Sequence, residues 1–263
     1  MQLLSKQLKD IYNKDFYFEI DSESSASAGI IVPLIQNLFK AKSVQDFGAG
    51  TGAWLAEFLK QGAKTVFGYD ANRLEPSLLH VSPNNILQGC NFASSAFKPK
   101  MRSELAISLE VAEHLPKTFA AHFVQVLTQA ASWVVFSAAL PGQGGTEHLN
   151  EQHPAYWQKL FAQRGYVAFD PIRPLIYNNP NVCWWYRQNL FVFAELAHLQ
   201  AHPDIFARLV PFAVSDDPES VGFVSEWNLY QLCECKERFD QMMQLLEKSS
   251  PESTVAEVLG ELQ

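Results

Sequence analysis

Short, mostly apolar runs alternate along this chain with longer stretches in which apolar side chains recur at helical spacing. The runs fall at residues 43–47, 65–69, 85–88, 105–109 and 133–137. Runs of this length and composition read as strands buried in a sheet. Helical patterns lie between several of them, at residues 53–59 and 118–131 in particular. Strand and helix in alternation predict a parallel sheet with crossover helices. Ahead of the sheet, residues 1–13 read as a helix, Phe16, Tyr17 and Phe18 follow, and a Ser-rich turn spans 22–27. Residues 28–39 read as a second helix with Pro33 in its first turns.

Downstream, residues 156–164 predict a helix with Gly165 as its C-cap, and 166–169 and 190–193 predict the last two strands. Beyond Glu195 the pattern changes. Pro203, Pro211 and Pro218 punctuate a loop-rich stretch. Residues 225–246 then carry one long helical pattern with Trp227, Leu229, Leu232, Phe239, Met242 and Leu246, and 253–262 a last short helix. The expected organisation is one domain over 1–195, with a helical cap at 1–40, and a mostly helical extension over 196–263. An amphipathic helix of this kind packs on its own domain or on a second copy. A homodimer through the extension is therefore one expectation.

Composition narrows the function classes. The chain has 263 residues, 48% of them hydrophobic and 13% aromatic, enough for a sizeable core. Its net charge is −8 with no Lys/Arg run, so the electrostatic footprint of a nucleic-acid binder is missing. No apolar run reaches the length that spans a bilayer. The opening residues 1–14 are polar and mixed in charge, unlike a secretory leader. Cys90, Cys183, Cys233 and Cys235 are too few and scattered for a disulfide framework, which points to reduced thiols. The expectation is a cytoplasmic enzyme, away from nucleic acids and membranes.

Two stretches carry chemistry. The first is Asp46-Phe47-Gly48-Ala49-Gly50-Thr51-Gly52. A glycine-rich strand-to-helix turn lets the backbone approach a ligand, with helix N–H groups facing it. Asp70 closes the next strand, followed by Ala71 and Asn72, and an acid there suits a ribose diol. A dinucleotide fingerprint reads G-x-G-x-x-G; here the acid leads and the spacing is D-x-G-x-G-x-G. A leading carboxylate can take up an ammonium group, and no pyrophosphate needs a seat. The second stretch is Ser108-Leu109-Glu110-Val111-Ala112-Glu113-His114-Leu115-Pro116, an E-x-x-E-H cluster. Its acids and imidazole can serve as general base or hold Mg²⁺ or Mn²⁺. His148 follows the fifth strand, while Glu151 and His153 read as caps or flanks of the next helix. The connector 170–189 holds Arg173, Tyr177, Trp184, Trp185, Tyr186 and Arg187, a polar and aromatic set suited to a substrate wall.

The D-x-G-x-G-x-G stretch resembles motif I of class I S-adenosylmethionine (SAM)-dependent methyltransferases. Residues 15–195 are similar to one bacterial group of that family, associated with glycan and small-molecule pathways. The matching phrases are Ser27-Ala28 with Ile31-Val32-Pro33, and residues 43–55, 109–116, 136–152 and 184–189. The resemblance implies an α/β fold: a Rossmann-like seven-stranded sheet with helices on both faces and an antiparallel final strand. It implies SAM as cofactor, with Asp46, Gly48, Ala49, Gly50, Thr51 and Gly52 along its methionine and ribose. Asp70, Ala71 and Asn72 would meet the ribose, Asn91 and Phe92 the adenine, and Leu109 and Glu110 the methyl group. Asn91 stands where many members carry an acid. E-x-x-E-H with His148 also resembles the metal site of small-RNA 3′-end 2′-O-methyltransferases, and ubiquinone-pathway O-methyltransferases have similar cores. That implies Glu110, Glu113, His114 and His148 on one divalent ion.

The leading expectation is O-methylation of a hydroxyl on a sugar or small polar metabolite. The alternatives are N- or C-methylation of a natural-product intermediate with His114 as base, methylation of an RNA end, and a non-catalytic SAM-binding scaffold.

Overall fold

The computed structural model describes residues 14–214. A long helix, α1 (Lys14–Phe39), leads into seven strands: β1 (Ser43–Phe47), β2 (Thr65–Asp70), β3 (Ile86–Gln88), β4 (Ser103–Leu109), β5 (Ala131–Ser137), β6 (Tyr166–Phe169) and β7 (Phe191–Glu195). They form one sheet in the order β3-β2-β1-β4-β5-β7-β6. All pairings are parallel except those of β7, which runs antiparallel to both β5 and β6. The crossovers carry α2 (Ala53–Lys60), α3 (Ala120–Ala130) and α4 (Pro154–Ala162).

Side-chain alternation along the central strands explains the layers. Leu105 and Ile107 of β4, with Trp133 and Val135 of β5, face a core shared with α1 and α2. Ala106, Val134 and Phe136 face the opposite core, filled by Phe123, Val124 and Leu127 of α3 and by Trp157 and Phe161 of α4. Both faces are covered, so these strands read as continuous apolar runs. The strand order turns back between β1 and β4. In open α/β sheets the crevice at such a switch point, beyond the carboxyl ends of the strands, takes the ligand. Asp46 of β1 sits in register with Ile107 of β4, so the two chemistry-bearing stretches leave neighbouring strands side by side.

Three regions differ from the sequence expectation. The Ser-rich segment at 22–27 is not a turn; α1 runs through it without a break. Ala28, Ile31, Val32 and Ile35 bury one face of this helix. Its serines find partners elsewhere in the fold: Ser27 Oγ accepts the Cys183 N–H at 3.0 Å, and Ser24 Oγ lies 3.3 Å from the Tyr186 hydroxyl. Tertiary partners here replace the local backbone bonds that favour serine in turns. The connector 170–189 is folded into two short helices, α5 (Arg173–Ile176) and α6 (Trp184–Asn189). Past β7, α7 (Leu196–Ala201) and α8 (Pro203–Leu209) pack back on the domain through buried Leu199 and Leu209. Ala213 then bridges to Phe169 at the edge of the sheet. The helices expected at 1–13, 225–246 and 253–262 lie outside the described residues. Among the described residues, no helix is long and apolar enough to cross a membrane.

Candidate active site

The glycine-rich turn after β1 is strapped to β2: the N–H groups of Gly48 and Ala49 both donate to the Tyr69 carbonyl, at 2.8 and 3.0 Å. Two glycines of the turn do different work. Gly48 has φ +101°, and a Cβ there would lie 2.2 Å from Val111 Cγ2, so its bareness lets the turn close on the loop after β4. Gly50 has φ +50°, and a Cβ there would meet nothing within 4 Å, so this backbone faces open space. The Asp70 carboxylate accepts the N–H of Gly50 at 2.6 Å and that of Asn72 at 2.7 Å. Burial raises the Asp70 pKa against those two bonds. Asp46 is only 3% exposed, and burial, then the charge of Asp70, push its carboxyl well above the usual range. Two buried carboxylates of like sign beside open space suit a ligand that brings a cation and a diol. SAM carries both, as an ammonium and a ribose, so the cradle fits it.

The other expected cofactor residues vary in what they offer. Ala49 is buried against β2: a Cβ on Gly68 would lie 2.6 Å from its own Cβ. Thr51 Oγ1 donates to Asp21 of α1, a residue that also meets His80 Nε2 at 2.8 and 3.0 Å. Gly52 precedes α2 with φ +81°, and Leu109 is buried at the end of β4. Ala71 is exposed. Asn91 Oδ1 accepts the Ala93 N–H at 3.0 Å, closing a local turn. Phe92 is a core residue, edge-on to Phe97 and Phe123, so its ring is taken up by packing.

The E-x-x-E-H stretch divides in two. Glu113, His114 and His148 converge, one donor atom of each lying within 4.8 Å of the others. Glu113 is fully buried, and both its carboxylate oxygens lack a hydrogen-bond partner. Burial, then the nearby Glu110 charge, hold its carboxyl well above the usual range. The His114 pKa is lowered by burial and by His148, and its Nδ1 has no partner. The two imidazoles meet edge to face at 5.0 Å.

Glu110 does not join this group. Its backbone is left-handed, with φ +56°, and its N–H donates to both the carbonyl and the Oγ of Ser137 at 3.1 Å. Its carboxylate accepts Gln143 Nε2 at 2.9 Å and Asn189 Nδ2 at 3.1 Å. The Asn189 amide also donates to Gln143 Oε1 at 2.9 Å. The expected four-residue site is thus a trio, because two amides have claimed the fourth ligand.

The connector is likewise divided. Arg173 turns inward and is 2% exposed. Its guanidinium pairs with Asp170 at 2.7 and 3.0 Å, donates to the Gln188 carbonyl at 2.8 Å and stacks over Phe191 at 3.9 Å. That corrects its reading as a substrate residue: its hydrogen-bonding capacity fastens the connector to β7. Tyr186 is buried edge-on to Trp54 at 5.2 Å, and burial raises its hydroxyl pKa. Arg187 donates to the Tyr177 carbonyl at 2.9 Å. Trp184 and Trp185 are half-buried, and Tyr177 is exposed. The sequence assigns no role to Gln143, Asn189, Asp21 or His80; Glu110 and Asn189, for example, lie 79 positions apart and carry no local signal.

Residues 25–189 match the family described as "Methyltransferase domain". The match covers more than half of the chain, and the chain belongs to this family, the class I SAM-dependent methyltransferases. Among solved structures it is similar to an O-methyltransferase family protein from Burkholderia thailandensis, with TM-score 0.48 and 10% identity over 65% of this chain. The aligned part spans 55% of the Burkholderia protein's length. It is also similar to magnesium protoporphyrin IX methyltransferase from Synechocystis with bound SAH, with TM-score 0.48 and 15% identity over 66% of this chain and 83% of that one. A third likeness is to the methyltransferase domain of a bacterial Hen1, with TM-score 0.45 and 18% identity over 64% of this chain and 97% of that one. No curated protein matches the chain.

Proposed function

We propose that this methyltransferase acts on a hydroxyl of a sugar or other small polar metabolite, with a divalent cation held by Glu113, His114 and His148. The observation that carries this reading is the buried Glu113 carboxylate, unpartnered at both oxygens and grouped with two imidazoles. A buried carboxylate without hydrogen bonds is costly, by roughly 1–3 kcal/mol or more. A cation relieves that cost, and one carboxylate with two imidazoles suits Mn²⁺, Fe²⁺ or Zn²⁺ better than Mg²⁺, which favours oxygen ligands. Such an ion would supply a Lewis acid that lowers the pKa of a bound hydroxyl, and SAM would supply the methyl group. As a ligand, a neutral His114 would spend its one lone pair on the ion, so the proton of the bound hydroxyl would pass to solvent. Trp184 and Trp185, both half-buried, are the rings on which a sugar would stack. The net charge of −8 weighs against an RNA acceptor, which would need Lys and Arg for its phosphates. A cytoplasmic location and a homodimer formed through residues beyond 214 belong to the same proposal.

The test is methyl transfer from SAM to a panel of sugars, sugar nucleotides, catechols, RNA oligomers and amines, with EDTA, Mg²⁺ or Mn²⁺. Transfer to a hydroxyl acceptor should stop with EDTA and return more fully with Mn²⁺ than with Mg²⁺. Glu113→Gln should lower the rate by more than the roughly 100-fold that outer-sphere changes cost, with SAH affinity unchanged. EDTA-resistant transfer to an amine or carbon acceptor, lost in His114→Ala, would replace this reading with base catalysis by His114.

A further inference from the structure

The loop between β5 and α4 holds an arrangement that the proposed function does not use. It returns to the site along the backbone of Glu113, whose carbonyl accepts the N–H groups of Leu149 at 2.8 Å and Asn150 at 2.9 Å. Within the loop, Glu151 Oε1 accepts His148 Nδ1 at 2.8 Å and the Gly144 N–H at 3.0 Å. Its Oε2 accepts the Gly142 N–H at 2.8 Å. Glu151 is not a helix cap: the N-cap of α4 is His153, and no side chain caps the helix. The ring of His148 lies against Gly145, where φ is +147° and a Cβ would fall 2.4 Å from Nε2 and 2.6 Å from Cε1. Only a bare Cα leaves room for the imidazole in this pose.

We propose that Glu151 and Gly145 form a seat that fixes His148 in one orientation and one tautomer. Resting on the metal reading above, the inference makes Glu151 a positioning residue for a ligand rather than a ligand itself. An ionised carboxylate only accepts, so a neutral His148 bonded to it must carry its proton on Nδ1. Nε2 is then the nitrogen with a lone pair for the group at Glu113 and His114. Carboxylates that hold a ligating histidine through its other nitrogen fix ring orientation and tautomer in this way, and losing one typically costs about 10–100-fold in metal affinity. The two glycine N–H bonds shape the loop around the same carboxylate, so loop and ring are set together.

The experiment uses the full chain labelled with ¹⁵N-histidine. Long-range ¹H–¹⁵N correlation at about pH 8, above the usual histidine range, reads the His148 tautomer without metal. Mn²⁺ titration then reads affinity, and SAH calorimetry reports whether the cofactor half remains intact. Wild type should show the Nδ1–H form. Glu151→Ala should shift His148 toward the Nε2–H form and weaken Mn²⁺ by about 10–100-fold. Glu151→Gln, whose amide oxygen still accepts from Nδ1–H, should keep the tautomer and most of the affinity. Gly145→Ala should weaken Mn²⁺ as Glu151→Ala does, and SAH affinity should hold in all three. A wild-type Nε2–H form, or the same spectrum in wild type and Glu151→Ala, would overturn the seat. A tautomer that moves as expected in a chain that binds no Mn²⁺ would sustain the seat and remove the metal reading alone.

Discussion

At the scale of single residues, the site gathers carboxylates that the fold does not fully satisfy. Asp46, Asp70, Glu110 and Glu113 all sit at or just beyond the carboxyl ends of strands, and burial raises the pKa of each. For Asp46 this sets the sign of a pH effect. A carboxyl whose folded pKa lies above its unfolded value, about 3.9, contributes its full stability only below that value. The contribution is lost as pH rises through the folded pKa. Asp46→Asn removes the loss, so the ligand-free variant should be more stable than wild type at neutral pH, by roughly 1–3 kcal/mol. The melting temperature should rise by about 2–4 °C per kcal/mol, and the gain should vanish below about pH 4. The same variant should bind SAH more weakly, because an amide cannot pair with an ammonium. Thermal unfolding across pH and calorimetry check both halves. A variant less stable than wild type at pH 7 would show that the Asp46 charge is already compensated.

Among the elements, α1 links the cap to the cofactor cradle. Asp21 joins Thr51 of the glycine-rich turn to His80 of the loop after β2, and the His80 N–H donates to the Thr51 carbonyl at 2.9 Å. The pair is partly exposed, with the His80 side chain 41% accessible, so its worth is about 1 kcal/mol at most. Asp21→Ala should raise the SAH dissociation constant by roughly 3–5-fold, the equivalent of that energy, with helical content intact by circular dichroism. An unchanged constant would leave α1 as a packing element alone. The strands were legible because burial on both faces writes an apolar run at each one, and the cradle because its glycines and acids are close in sequence. The unbroken course of α1 was not, since Ser24 and Ser27 find their partners across the fold at Tyr186 and Cys183. Arg173 read as a substrate contact for the same reason: its partners at Asp170, Gln188 and Phe191 appear only once the connector folds. Glu151 lies three positions from His148, near enough to be seen, but the turn at Gly142 to Gly145 that brings them together is a property of backbone angles.

Across the whole molecule, the two halves of the site come from opposite sides of the switch point. The cradle belongs to β1 and β2, the acid and imidazole trio to the loops after β4 and β5, and the connector between β6 and β7 reaches Glu110 through Asn189. Every residue named in these groups lies at or before position 189. The described chain also completes the outer edge of the sheet: Ala213 bridges Phe169, and the Val214 N–H donates to the Ala168 carbonyl at 3.1 Å. Removing residues 221–263 therefore takes away none of these contacts. The truncated chain should fold and bind SAH within about twofold of wild type, as sites that share no partner combine nearly additively. If the extension joins two copies, light scattering should give a dimer for the full chain and a monomer for the truncated one. A full chain that is monomeric at high concentration would remove the dimer, whereas a truncated chain that folds yet fails to bind SAH would place part of the cofactor site beyond the edge that Ala213 and Val214 close.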